Sequence, residues 1–208
     1  MKPSPGVISV AEHTGWAHLL CVTVHGGRPV VIERRRVSLI EPGLPTLPYE
    51  HDTRAMGEDD AEALVARVRR SIAACTAQAL ERVVSELAPA CRVVALAIRK
   101  PPFPRIPGSV RAVHASYQLL YSADGMLYQG ALCRAAKQQG LEVRLCRRGE
   151  EVGLAATSIG VQPDEIEEFV TRIGRPAGPP WTQDHRRAYA AGIAALAPHA
   201  RMRLPVRE

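Results

Sequence analysis

Apolar residues recur along this chain with two periods, and the change between them divides it. From Gly6 to Leu39 the period is short. "GVISVAE" reads as a first strand, and "WAHLLCVTVHGGRPVVIERRRVSLI" as two more folded about His25-Gly26-Gly27. Both glycines tolerate the positive φ of a tight hairpin turn. The third segment ends in alternation, with Arg34, Arg36 and Ser38 set against Arg35, Val37 and Leu39. That predicts an edge strand with one wet face, its basic run solvated and unwelcoming to further pairing. The three strands are expected to form an antiparallel meander.

After a proline-bearing loop, "EPGLPTLPYEHDTRAMG", the period lengthens. Leu64, Val65, Val68, Ile72, Cys75, Ala79, Leu80, Val83, Val84 and Leu87 recur every three or four residues, which predicts an amphipathic helix. Asp59 or Asp60 is placed to cap it, and Pro89 stops it. "RVVALAI", Arg92 to Ile98, is apolar at successive positions, as in a strand buried on both faces. "RKPPFPRIPGS" interrupts again. "SADGMLYQGALCRAAKQQG" predicts a helix capped by Ser122 or Asp124 and ended by Gly140. "LEVRLCR" reads as a fifth strand. Helices follow over "EEVGLAATSIG" and over "QPDEIEEFVTRIG", where Pro163 sits in the first turn. "RPAGPP" reads as a stiff linker, and Thr182 caps a last helix, "QDHRRAYAAGIAAL". Tyr117, Tyr121 and Tyr128 have core spacing, His114 reads as a hydrogen-bonded structural residue, and Trp16 and Trp181 read as core residues. Three strands and then strand–helix alternation imply a five-stranded mixed sheet with helices on its faces, the ribonuclease H-like arrangement.

Composition narrows the class. The chain has 208 residues, 46% of them hydrophobic but only 4% aromatic, so one domain spanning 1–208 is expected, with an aliphatic core. No apolar run approaches the ~20 residues of a membrane span, and the N-terminus is a poor signal peptide, so a cytoplasmic protein is expected. The five cysteines are scattered with no C-x-x-C pair, which argues against zinc. G-x-G-x-x-G, G-x-x-x-x-G-K-[ST], G-x-S-x-G and H-E-x-x-H are all absent, which disfavours dinucleotide, P-loop, serine-hydrolase and zinc-protease chemistry. The net charge of +6 favours an anionic partner such as nucleic acid.

"ADGMLYQGALCRAAKQQGLEVRLCRRGEEVGLAATSIG", "QPDEIEEFV", "QDHRRAYAAGIAAL" and "ISVAEHTGWA" together resemble the RuvC-type Holliday-junction resolvases. That resemblance implies a site where carboxylates converge from the ends of strands one and four and from the start of the last helix. They would hold two Mg²⁺ or Mn²⁺ ions for phosphodiester cleavage. Carried over by position, Glu12 ends strand one, with Ala11 as the alternative by one residue. Strand four ends in Ile98, Arg99 and Lys100, with no acid. Asp184 opens the last helix, and Arg187 stands where a second aspartate would be.

Three readings stay open. Glu12 and Asp184 hold one ion and act with His185 or Asp124 as a rebuilt catalytic site. Alternatively, cleavage is lost and Arg99, Lys100, Arg186 and Arg187 bind nucleic-acid phosphates, DNA in preference to RNA. Or the fold serves another role, such as a protein contact or an unrelated enzyme. The resemblance also implies a homodimer. All three readings assume that the tip of strand one and the first turn of the last helix meet.

Overall fold

The structure, a computed structural model, describes residues 3–173 and 178–204. Strands β1 (Pro5–His13), β2 (Trp16–His25) and β3 (Arg28–Ser38) form the expected meander. The β1–β2 turn closes on Gly15 (φ 89°), and the β2–β3 turn on Gly26 and Gly27 (φ 57° and 76°), conformations that residues with a Cβ rarely adopt. Helix α1 (Glu58–Leu87) leads to β4 (Arg92–Arg99), which lies parallel to β1. The short α2 (Val110–His114) and long α3 (Tyr117–Gln138) precede β5 (Glu142–Cys146), parallel to β4. Then come α4 (Glu151–Ile159), α5 (Pro163–Arg172) and α6 (Gln183–Leu196). The sheet order is β3-β2-β1-β4-β5, with β1–β2 and β2–β3 antiparallel. This is the ribonuclease H-like arrangement. Among the described residues no helix is long and apolar enough to cross a membrane.

Strand alternation sorts the core into two layers. Ile8, Val10, Leu96 and Ile98 pack against α1 and α3, while Val7, Ala11, Ala95 and Ala97 pack on the side of α6. On this side β4 presents the small side chains of Ala95 and Ala97. A Cβ at Gly192 in α6 would stand 2.6 Å from Val22 Cγ2 and 3.0 Å from Ser9 Oγ, so glycine there lets the helix lie close on the sheet. In the first layer Cys21 and Cys91 bring their sulfurs to 3.6 Å across β1, above Gly6.

Several local expectations change. The cap of α1 is Gly57, and Asp59 and Asp60 lie inside the first turn beside the positive end of the helix dipole. Ser116, not Ser122 or Asp124, caps α3, which starts five residues before Ser122 and is preceded by α2. Tyr117 and Tyr121 are therefore on an open first turn, 74% and 57% exposed, and only Tyr128 is buried. Asp124 is buried within α3, where its two oxygens accept the backbone N–H groups of Tyr49 and Glu50, both at 3.0 Å. It thereby caps, across the fold, a π-helical turn at Pro48–Asp52. His114 is bonded as expected, its Nε2 3.0 Å from the Tyr49 carbonyl and 3.2 Å from Thr53 Oγ1.

The arginines of β3 are engaged rather than solvated. Arg34 donates to the carbonyls of Gly178 (3.0 Å) and Pro180, Arg35 pairs with Glu86, and Arg36 lies over the Trp16 ring at 4.4 Å. Trp16 is half-buried between that guanidinium and His13, while Trp181 is tied by its indole N–H to the Val170 carbonyl at 2.8 Å. Residues 175–177 of the linker 175–180 lie outside the described residues, as does Gly174.

Candidate functional site

The parallel strands β1, β4 and β5 end at one edge of the sheet, and the first turns of α4 and α6 lie beside that edge. Carboxyl ends of strands in open α/β sheets make crevices. Here a small cavity of about 60 Å³ is lined by six charged side chains: Glu12, Arg99, Arg148, Glu151, Asp184 and Arg187. Its apolar part includes Ala11, Cys146, Ala188 and Ala191. Glu12 and Asp184 thus line one cavity, as the resemblance requires, and Arg99 and Arg187 join them.

The geometry of Glu12 follows from the pleat. It sits two residues after Val10, on the side of α1 and α3, so its carboxylate meets α3. Gln129 Nε2 donates to Glu12 Oε1 at 2.8 Å, and Arg99 Nε donates to the same oxygen at 2.9 Å. Only 7% of the Glu12 side chain is exposed. The strand-one residue that packs with α6 is Ala11, in one cluster with Ala188. Of the two alternatives at the end of strand one, Ala11 faces the last helix and Glu12 faces α3.

Asp184 is half exposed, with His13 Nε2 3.7 Å from Oδ2. Two further residues of the cavity escaped the sequence analysis. Glu151 is buried, and its Oε2 accepts the Gly149 N–H at 2.7 Å, closing the turn between β5 and α4. Arg148 belongs to the same turn, and "CRRGEE" between a strand and a helix was the signal that both would stand at a strand's end. Arg148 and Arg187 form no ion pair among the described residues.

Three expected site residues do not line the cavity: Lys100, His185 and Arg186. Lys100 lies just past β4, where its backbone N–H still bonds the Cys146 carbonyl at 2.7 Å. Arg186 reaches Thr171 Oγ1 at 3.3 Å. His185 is buried as the third residue of α6. Its Nδ1 accepts the Thr182 backbone N–H at 3.1 Å and lies 2.8 Å from the Thr182 hydroxyl; the His185 backbone N–H donates in turn to the Thr182 side chain, which completes a capping box. Its ring lies 4.3 Å from that of His18 and stacks on Trp181. Burial, with the charges of His18 and Arg34, lowers its pKa to about 4, so the ring is neutral at pH 7. Asp124 is likewise absent from the cavity lining and occupied with its π-helical turn.

These residues do not fit a two-metal centre. Mg²⁺ demands octahedral oxygen ligands that converge on it. Here Glu12 spends one oxygen on Arg99 and Gln129, Glu151 spends one on a backbone N–H, and three arginines line the same cavity. Among the described residues no group of three or more His, Cys, Asp or Glu side chains is placed to hold a metal.

No family model and no curated protein matches this chain. Among solved structures, the chain is similar to Thermus thermophilus RuvC at 16% identity over 94% of this chain and 98% of that one, with a TM-score of 0.49. It is similar to T. thermophilus RuvC in complex with a Holliday junction substrate at 16% identity over 92% of each chain, also with a TM-score of 0.49. An exopolyphosphatase from Cytophaga hutchinsonii follows at 15% identity over 74% of this chain and 38% of that one, with a TM-score of 0.30. These are likenesses of backbone path at low identity. The ribonuclease H-like fold of this chain stands on its own strand order and directions.

Proposed function

We propose that this protein binds nucleic acid, DNA in preference to RNA, along the arginine-bearing edge of the sheet, with metal-dependent cleavage weak or lost. One observation carries the proposal: the Glu12 carboxylate is bound to Arg99 and Gln129, so the acid that the resemblance assigns to a metal is held by a cation instead. A guanidinium supplies charge beside a phosphate but offers no ligand to an ion. Arg148 and Arg187, free of ion pairs among the described residues, are the phosphate partners this geometry offers, and Arg99, Lys100 and Arg186 flank them.

The test is binding of duplex and branched DNA and of RNA at low salt, followed by incubation with Mg²⁺ or Mn²⁺. Binding is expected, with DNA preferred. Cleavage is expected to be no greater than for Glu12→Ala or Asp184→Ala. Cleavage that both substitutions abolish would show a working metal site and overturn the loss of catalysis. Failure to bind any nucleic acid at low salt would remove the proposal.

A protein partner, including a second copy of this chain, is the other reading that an observation favours. β5 is a sheet edge, and Leu145 and Leu154 stand 50% and 42% exposed beside a shallow apolar groove. Concentration-dependent sedimentation, with Leu145→Lys as control, separates this reading from the first.

A further inference from the structure

A second cavity, of about 330 Å³, lies on the α1–α3 side of the sheet under the proline-rich segment that follows β4. Pro101 lines it, whereas Arg99 lines the first cavity, so the exit of β4 separates the two. Its walls are apolar: Ile72 from α1, Met126 and Leu127 from α3, and Phe103 and Ile106 from the segment above. Three arginines reach it, one from each of these pieces: Arg69, Arg134 and Arg105. Among the described residues no carboxylate lines it. At the first cavity three arginines share the lining with three acids; here the charge is of one sign.

The arginines are arranged rather than scattered. Met126, Gly130 and Arg134 are spaced by four and share one stripe of α3, and Arg69 and Ile72 are spaced by three on α1. A Cβ at Gly130 would stand 3.2 Å from an Arg134 terminal nitrogen, so the guanidinium rests where a side chain would otherwise be. Arg69 is held in place by donating to the Tyr49 hydroxyl, with its guanidinium 5.9 Å from the centre of that ring. Its Nε is buried and has no hydrogen-bond partner among the described residues. Like charges brought together repel. A single anion seated among the three relieves that repulsion. Guanidinium groups favour the planar or trigonal oxygens of carboxylate and phosphate. The apolar walls set the remainder of the ligand, and the volume lies near the lower end of small-molecule sites, roughly 300–1,000 Å³.

We propose that this cavity is a binding site for a small organic anion, a phosphate or carboxylate carried on an apolar or aromatic body, with Arg69, Arg105 and Arg134 taking the charge. The site does not depend on nucleic-acid binding at the edge of the sheet. The test titrates the full ¹⁵N-labelled chain with phenyl phosphate, benzoate, benzyl alcohol and inorganic phosphate, read by amide chemical shifts. Phenyl phosphate or benzoate is expected to give saturating shifts centred on Ile106 and Gly130, and whichever binds tighter identifies the head group. Benzyl alcohol and inorganic phosphate are expected to bind at least about tenfold more weakly, because each lacks half of the match. Arg105 and Arg134 are both exposed, so a double variant, Arg105→Gln with Arg134→Gln, keeps the fold and is expected to lose about tenfold in affinity or more. Arg35→Gln, outside the lining of this cavity, is expected to leave the affinity unchanged. Shifts centred on Glu12 and Arg187 would overturn the assignment. So would unaltered affinity in the double variant, equal binding of inorganic phosphate alone, or no saturation by about 10 mM.

Discussion

Two buried titratable side chains bring opposite pH dependence to this fold. His185 has its pKa lowered to about 4 by burial and then by His18 and Arg34. The unfolded chain therefore takes up the proton first. Its contribution to stability is present above about 6.5 and is lost as pH falls toward 4, on the order of 3 kcal/mol. His185→Gln keeps an acceptor for the Thr182 N–H, since Gln is a usual third residue of a capping box, and binds no proton. Denaturant unfolding of this variant between pH 4 and 7 should show less acid destabilisation than the parent; an unchanged slope would refute this account of His185. Asp124 runs the other way. Burial raises its pKa to about 6 against the pull of the Tyr49 and Glu50 N–H bonds. The folded chain holds this proton more tightly, so this contribution is present below about 4 and is lost as pH rises through 6. Asp124→Asn should remove that component and cost about 1–3 kcal/mol at low pH, because one of the two N–H groups loses its acceptor. The same unfolding series reads both. Asp124 also shows the limit of local spacing. As a residue before an apolar run it fits a cap, and it does cap a turn, but one that lies 74 and 75 positions away in the chain.

At the level of elements, the periodic segments were legible and their boundaries less so. The three-strand meander and α1 follow from apolar period and the Gly26-Gly27 turn, because a face that repeats every two or every three to four residues can be buried in only one way, and β4 follows from its unbroken apolar run. The start of α3 was hidden because Ser116 and Ser122 offer equivalent caps, and packing of α2 and the π-helical turn favours the earlier one. Close approach of α6 to the sheet is likewise a property of packing, and it sets the sign of a substitution. Gly125→Ala, in α3 with no atom within 4 Å of the added Cβ, should stabilise by up to about 1 kcal/mol through helix propensity. Gly192→Ala gains the same propensity but must displace Val22 and Ser9. A net loss of about 1 kcal/mol or more is expected in thermal or denaturant unfolding. Equal effects at the two sites would mean that α6 does not lie as close as described.

For the whole molecule, the charge of +6 matters less than where it is paired. Arg34, Arg35 and Arg36 are spent on the 178–180 segment, on Glu86 and on Trp16, whereas Arg148 and Arg187, at the cavity edge, have no ion pair among the described residues. Replacing Arg148 or Arg187 by Gln should each reduce the slope of log K against log salt for DNA by about 1, while Arg35→Gln should leave it unchanged. Equal effects from all three would mean diffuse attraction with no defined edge. The chain by itself determined the architecture, since apolar period and turn residues act locally and repeat along every element. It also determined that strand four ends in cations, because identity at a place in the fold is legible once the order of strands is known. Tertiary structure alone decided that Ala11 and not Glu12 faces α6, that Gln129 and Arg99 hold Glu12, that His185 is buried, and that Arg69, Arg105 and Arg134 share a cavity. Each of these joins residues far apart in the chain, and which side of a strand or helix meets a distant element is set by the docking of layers, not by any spacing along one segment.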